Sequence, residues 1–201
     1  MKKLFFDIET LPADQDKHEI LKELYEYKRS KGRMRKVSFE EFLEETNFGG
    51  AFGRIFCICY AINNGRIKTI TGDEKEILKK FWQIAKDVDL LVGHNILDFD
   101  LIFIQQRSII LGIKPSVEIS FRRYQASPVY DIMHEWDKWG RDFISMNELA
   151  KALGIPSSKD KMDGSDVYQY YKDGKHQEII DYCCKDVEVV RAIYKKMNFE
   201  G

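Results

Sequence analysis

An aspartate and a glutamate one residue apart, Asp7 and Glu9, close the apolar run Leu4-Phe5-Phe6 near the start of the chain. Side chains alternate across a strand, so both carboxylates share one face while Phe6 and Ile8 take the other. Two acids side by side repel, and each raises the other's proton affinity unless a cation stands between them. Hard ions such as Mg²⁺ or Mn²⁺, which take oxygen ligands, supply that charge. With 33 acids in 201 residues such pairs also arise by chance, and the alternative is a solvated strand end. Partners are therefore needed elsewhere in the chain. Asp98 and Asp100 follow Val92-Gly93-His94-Asn95-Ile96-Leu97, where a short buried strand gives way to a helix. Asp98 suits the helix start, where acids accept free N–H groups. Asp100 is left to point into a cleft at the strand's carboxyl edge, a common place for α/β sites. Tyr182 and Asp186 lie four apart, on one face of a helix. Ile179, Ile180, Val187, Val190 and Ile193 make that helix a core element able to lay Asp186 beside the first strand.

The elements that must hold these groups read as follows. A strand covers 54–62, Asn63-Asn64-Gly65 is a hairpin turn, and 66–71 returns as its partner. An amphipathic helix over about 74–86 carries Ile77, Leu78, Phe81, Trp82 and Ala85 on one face. A buried strand at 89–93 and a helix at about 98–111 come next, then a further strand at 129–132. Helices follow at 146–153, 165–172 and about 176–197, the first two closed by Gly154 and Gly174. Strands first, then strand–helix alternation and a helical tail, indicate one mixed α/β domain over 1–201.

Residues 11–50 form an excursion from the sheet. Helical spacing runs through 16–31, and Ser38-Phe39-Glu40-Glu41 is a capping-box pattern opening a second short helix to about 46. Between them, residues 28–36 hold six basic side chains, including Arg33, Arg35 and Lys36. This run is either a solvated surface or a phosphate-contacting arm, with Tyr25 and Tyr27 near enough to stack on bases. Arg122, Arg123, Lys159 and Lys161 are further phosphate-contact candidates.

Composition excludes several classes. Hydrophobic residues are 44% and charged residues 32%, and no apolar run approaches the eighteen or so residues of a membrane span. The apolar start is too short for a secretory signal, so the expected location is cytoplasmic. A net charge of −1 gives no global pull on nucleic acid, so such a partner would be held by local bases or metal ions. Cys57, Cys59, Cys183 and Cys184 lack zinc-knuckle spacing and read as free buried thiols. His94, His134 and His176 add no second site.

Taken together, Phe6-Asp7-Ile8-Glu9-Thr10, the stretch Gly93 to Asp100 with its N-x₃-F-D pattern, and Tyr182 to Asp186 resemble the three motifs of the DEDD superfamily of 3′–5′ exonucleases. They come in that family's order. The stretch Leu149 to Pro156, with Met162-Asp163-Gly164-Ser165 after it, also resembles predicted stand-alone exonucleases related to the exonuclease domain of family-B DNA polymerases. Tyrosine four before the last Asp resembles the tyrosine (DEDDy) subgroup; the histidine subgroup has its His five before, where this chain has Asp181. The insert at 11–50 departs from the pattern. The resemblance implies a ribonuclease-H-like fold, a mixed central β-sheet flanked by helices. It implies catalysis by Asp7, Glu9, Asp100, Tyr182 and Asp186, the four acids holding two Mg²⁺ or Mn²⁺ ions. Tyr182 would orient the attacking water, a phenol being a poor base at neutral pH. Thr10, Leu11, Asn95 and Phe99, with Arg33, Arg35 and Lys36, would contact the strand; for Asn95 a purely local turn or cap is the alternative. The expected substrate is nucleic acid, DNA before RNA. The competing readings are an exoribonuclease, or a non-catalytic nucleic-acid-binding or polymerase-associated module on the same fold.

Overall fold

Both faces of the opening strand are apolar over its first half, and a strand of that kind belongs in the middle of a sheet. In the computed structural model, which describes all residues except 34, 125–126, 141–142, 158–161 and 201, β1 (Lys3–Leu11) is central. It pairs antiparallel with β2 (Arg54–Ile62) and parallel with β4 (Leu90–Gly93). β3 (Lys68–Thr71) joins β2 antiparallel, and β5 (Val129–Asp131) joins β4 parallel. The order is β3-β2-β1-β4-β5, the mixed α/β sheet the sequence implies.

Alternation along β1 divides the core in two. Leu4, Phe6 and Ile8 pack under α3 (Glu74–Ala85) and α4 (Asp100–Leu111), against Leu78, Phe81 and Leu101. Phe5, with Cys57, Cys59 and Val92, packs under α6 (Met146–Ala152) and α8 (His176–Met197), against Leu149, Cys183 and Val187. Each Leu or Phe buried in this way contributes roughly 1.5–3 kcal/mol. The second face is also that of Asp7 and Glu9, so the force that seats α8 on β1 brings its polar residues to the two acids. Beyond them Leu11 meets Ile179, Tyr182 and Val167, the last from α7 (Val167–Lys172).

Locally encoded elements match their sequence signals. The hairpin closes with Gly65 N–H donating to the Ile62 carbonyl at 2.9 Å and Asn63 in the left-handed region. The five apolar residues assigned to the 74–86 stripe are all buried. Two ends differ. β3 begins at Lys68, two residues late. The strand placed at 129–132 stops at Asp131, whose side chain accepts from Met133 N–H at 3.0 Å and so opens α5 (Ile132–Asp137).

The excursion contains α1 (His18–Ser30) and α2 (Phe39–Glu44), the latter continued by a 3-10 turn. Ser38 and Glu41 form the capping box, with bonds of 3.1 and 2.7 Å. Tyr25 is not available to stack on bases. It is buried, packs on Phe39 and Phe42, and donates its hydroxyl to the Val37 carbonyl at 2.9 Å; it is the core of the excursion, whereas Tyr27 is exposed. Thr10 Oγ1 donates to the Asn47 carbonyl at 2.9 Å, tying this unit to β1. Among the described residues no helix is long and apolar enough to cross a membrane.

Candidate active site

Four carboxylates from three elements converge at the carboxyl end of β1. Glu9, Asp100 and Asp186 are buried and Asp7 is half-buried. A carboxylate oxygen of Asp7, one of Glu9 and the Cys183 sulfur lie within 4.8 Å of one another. The register of β1 against β2 shifts between Glu9 and Thr10, leaving Phe56 as an extra residue in β2. Bulges of this kind bend a strand and re-aim its side chains, often next to active sites.

Asp100 arrives by a different route. Pairing of β1 with β4 ends at Phe5 and Val92, while β1 runs on to Leu11. The Ile8 N–H therefore has no strand beside it and donates instead to Asp100 Oδ1, at 3.2 Å. The loop from β4 to α4 must pass close to β1 for this to happen. A Cβ at Gly93 would lie 2.2 Å from Ile96 Cγ2 and 3.1 Å from the Phe6 carbonyl oxygen, so glycine is needed there. Asn95 follows with φ 61°, a conformation asparagine tolerates better than most residues.

Asp131 fastens this loop, and no sequence motif marked it. Its carboxylate accepts from Asn95 N–H and Leu97 N–H, both at 2.9 Å, as well as from Met133 N–H. Asp131→Asn keeps Oδ1 for Asn95 and Met133 but turns an amide toward the Leu97 N–H. A buried donor left unpaired costs about 1–3 kcal/mol, so melting falls by several degrees in thermal denaturation followed by circular dichroism.

α8 supplies the remaining groups. Cys183 Sγ donates to the Asp7 carbonyl at 3.5 Å, pinning the helix to the strand. Tyr182 and Asp186, one turn apart, stand on the same buried face.

The electrostatics follow from this crowding. Burial pushes the Asp7 carboxyl well above the usual carboxylate range, and Asp100, Asp186 and Glu9 push it further. Burial does the same to Glu9, with Asp186 and Asp100 adding to it. Asp100 is pushed up to about 8, chiefly by burial, with Asp131 and Asp186 opposing the backbone donors that favour its charge. Such a cluster binds protons or cations. Its donors are carboxylate oxygens, suited to hard divalent ions; the Cys183 thiol, raised by burial, stays protonated beside them. Burial also raises the Tyr182 phenol above its ordinary value, with Asp186, Glu9 and Asp7 adding to it, so this side chain is a neutral hydrogen-bond donor.

Other residues singled out from the sequence fall in varied places. Asp98 does not cap the helix: α4 begins at Asp100 behind Phe99, and the Asp98 carboxylate meets His134 Nε2 at 3.0 Å. Phe99 is half-buried and its ring lies 5.8 Å from that of Phe103. The side chains of Thr10 and Leu11 are buried, leaving their backbone for any contact with a ligand. Arg33, Arg35 and Lys36 are exposed beyond α1, and Arg35 pairs with Glu45. His94 is held neutral, burial pushing it down to about 4. Lys159 and Lys161 lie outside the described residues.

Comparison with known proteins identifies the fold and the family. The family B DNA polymerase of the hyperthermophilic archaeon Pyrobaculum calidifontis is similar in structure, with a TM-score of 0.68 at 16% identity over 98% of this chain and 24% of the polymerase. The chain thus spans about a quarter of that protein, and the likeness supports the ribonuclease-H-like fold. No curated protein matches in a sequence search. A family described as "predicted 3′–5′ exonuclease related to the exonuclease domain of PolB" matches residues 51–200, a span that takes in Asp100, Tyr182 and Asp186 and begins after β1. With three-quarters of its length matched, the chain belongs to this family of predicted 3′–5′ exonucleases.

Proposed function

We propose that the chain is a metal-dependent 3′–5′ exonuclease of the tyrosine subgroup, releasing 5′ nucleoside monophosphates from the 3′ end of single-stranded DNA. The observation that carries this reading is the convergence of Asp7, Glu9, Asp100 and Asp186 in one buried site where each raises its neighbours' proton affinity. Those four residues would hold two Mg²⁺ or Mn²⁺ ions. When bound, the ions supply an activated water and neutralise charge on the leaving 3′ oxygen.

The chain's own groups do the rest. Tyr182, kept neutral, donates its O–H to orient the water or a phosphate oxygen. Asp100 is held in place by the Ile8 N–H, and through Asp131 the loop carrying it is fixed before substrate arrives. Preorganisation of this kind spares reorganisation during the reaction. A complete set of acids favours an enzyme over a non-catalytic module on the same fold.

End-labelled DNA and RNA oligonucleotides, single- and double-stranded, incubated with Mg²⁺, Mn²⁺ or chelator, test the reading. Laddering from the 3′ end that stops with chelator is the expected result, and the arm that ladders names the sugar. Intact oligonucleotides in every arm would overturn it.

In this reading Arg33, Arg35 and Lys36 contact backbone phosphates, and Asn95 and Phe99 border the terminal nucleotide. Neutralising the three bases together flattens the slope of log affinity against log salt by about 2, at roughly 0.7 per single-strand phosphate contact. An unchanged slope returns the arm to solvated surface.

A further inference from the structure

Beside the catalytic loop, at the carboxyl end of β4 and β5, lies a second feature that the carboxylate chemistry does not use. A cavity of about 420 Å³ is lined by residues that include Asp98, Phe121, Arg123, His134, Trp139 and Phe143. That volume is in the range of small-molecule sites. Asp98 is two residues from Asp100, and Asp131, which clamps the β4–α4 loop, also opens α5, the helix that carries His134.

The walls have a specific chemistry. His134 and Trp139 stack with ring centroids 4.5 Å apart and planes within 4°, so the buried His134 ring fixes the orientation of the Trp139 ring in the cavity lining. Tyr124 packs against Trp139 from outside the cavity lining, with ring centroids 5.5 Å apart and planes tilted by 53°. Three non-glycine residues, Tyr124, Lys138 and Trp139, sit in the left-handed backbone region to make this arrangement. Strain of that sort persists where the surroundings over-determine it, and it concentrates at binding sites. At the rim, the Arg123 guanidinium donates to the Trp139 carbonyl and lies 5.1 Å from the Tyr124 ring, with Arg122 exposed beside it. Phe121 and Phe143 also line the cavity and are 41% and 66% exposed, apolar rings presented to solvent.

We propose that this cavity takes an unpaired nucleobase of the substrate strand a short distance from the scissile end, with the adjoining phosphate at Arg122 and Arg123. An aromatic ring held in a fixed orientation, as Trp139 is, suits any base face, a carboxylate at the cavity accepts from exocyclic amines, and cations at the rim match the phosphate. Aromatic rings, an acid and a guanidinium group around one cavity match the base and phosphate of a nucleotide better than the repeating backbone of a peptide segment. Base–aromatic stacking supports affinity without dictating sequence. The proposal rests on the nuclease reading only for the source of the strand.

The test separates the two. Phe121→Ala combined with Phe143→Ala removes two exposed rings from the cavity lining without touching the carboxylates. Three quantities are measured for it and for the unaltered protein: anisotropy binding of a fluorescent dodecathymidylate in Ca²⁺, KM for the same oligonucleotide in Mn²⁺, and hydrolysis of the p-nitrophenyl ester of thymidine 5′-monophosphate. The ester is too short to span both places. The expected result is about tenfold weaker binding and a matching rise in KM, with ester hydrolysis unchanged and the melting temperature retained. One abasic substitution along the strand reproduces the loss in the unaltered protein and adds nothing in the double variant. Unchanged oligonucleotide binding, an abasic scan with no sensitive position, or an equal loss with the ester overturns the proposal. Weakened binding without hydrolysis by the unaltered protein sustains it and sinks the nuclease reading instead.

Discussion

Asp7→Asn and Asp186→Asn each abolish metal-dependent hydrolysis from the 3′ end, by about a thousandfold or more, while the protein still folds. The size follows from what is removed. A bound divalent ion is worth several kcal/mol of charge stabilisation in the transition state, and each 1.36 kcal/mol is a factor of ten in rate. Asp7 and Asp186 come from different elements, β1 and α8, so neither can replace the other. The fold tolerates both changes because the carboxylates repel one another: an amide in place of either lowers the proton affinity of those remaining. Tyr182→Phe provides the contrast. It removes an orienting O–H and leaves the acids in place, so the loss is about 10- to 100-fold, the scale of a misplaced reactant. Timed digestion of a labelled oligonucleotide measures all three, and undiminished cleavage by either Asp variant would refute the assignment.

The same crowding gives the metal-free protein an unusual pH dependence. In chelator, the melting temperature falls as pH rises from about 5 to about 8, by roughly 5–10 °C. A carboxyl whose folded value lies above its unfolded value keeps its proton in the folded chain after the unfolded chain has released it. Across that window the folded state binds more protons, so unfolding becomes easier as pH climbs. The window opens near the ordinary value of 3.8 for Asp and closes near 8, where Asp100 ionises in the folded protein. Asp7 and Glu9 act in the same direction. A paired surface aspartate does the opposite, stabilising the fold as pH rises past its ordinary value. Mg²⁺ or Mn²⁺ at pH 8 restores the lost degrees by replacing protons with a cation. Asp7→Asn flattens the decline. Calorimetry at fixed ionic strength tests this, and a melting temperature that is level or rising across the window would be evidence against a shared buried site.

What could be read from the sequence was what depends on near neighbours along the chain. The pleat puts Asp7 and Glu9 on one face whatever lies above them. Helical periodicity marks 74–86 and 176–197, and pairs Tyr182 with Asp186. Ser38 with Glu41 and Asn63-Asn64-Gly65 close their cap and turn through atoms three or fewer residues apart. Where the outcome hung on partners far away in the chain, the same rules misled. Asp98 looks like a cap until His134, 36 residues on, takes its carboxylate. Tyr25 looks free to stack until Phe39 and Phe42 fold over it. Asp131 carries no motif at all, because its role is to accept N–H groups from a loop 34 to 36 residues earlier.

The sequence by itself determined which side chains can bear charge on which face of each element: two acids on a strand, one at a helix start, a tyrosine and an acid on a helix. Only the tertiary structure decided that these faces meet. β4 stops where β1 continues, so an unpaired Ile8 N–H draws in Asp100, and the apolar stripe of α8 can be buried only by laying Tyr182 and Asp186 over Asp7 and Glu9. Local geometry sets direction, but the burial that turns ordinary carboxyls into one cluster of raised proton affinity belongs to the packing of the whole sheet.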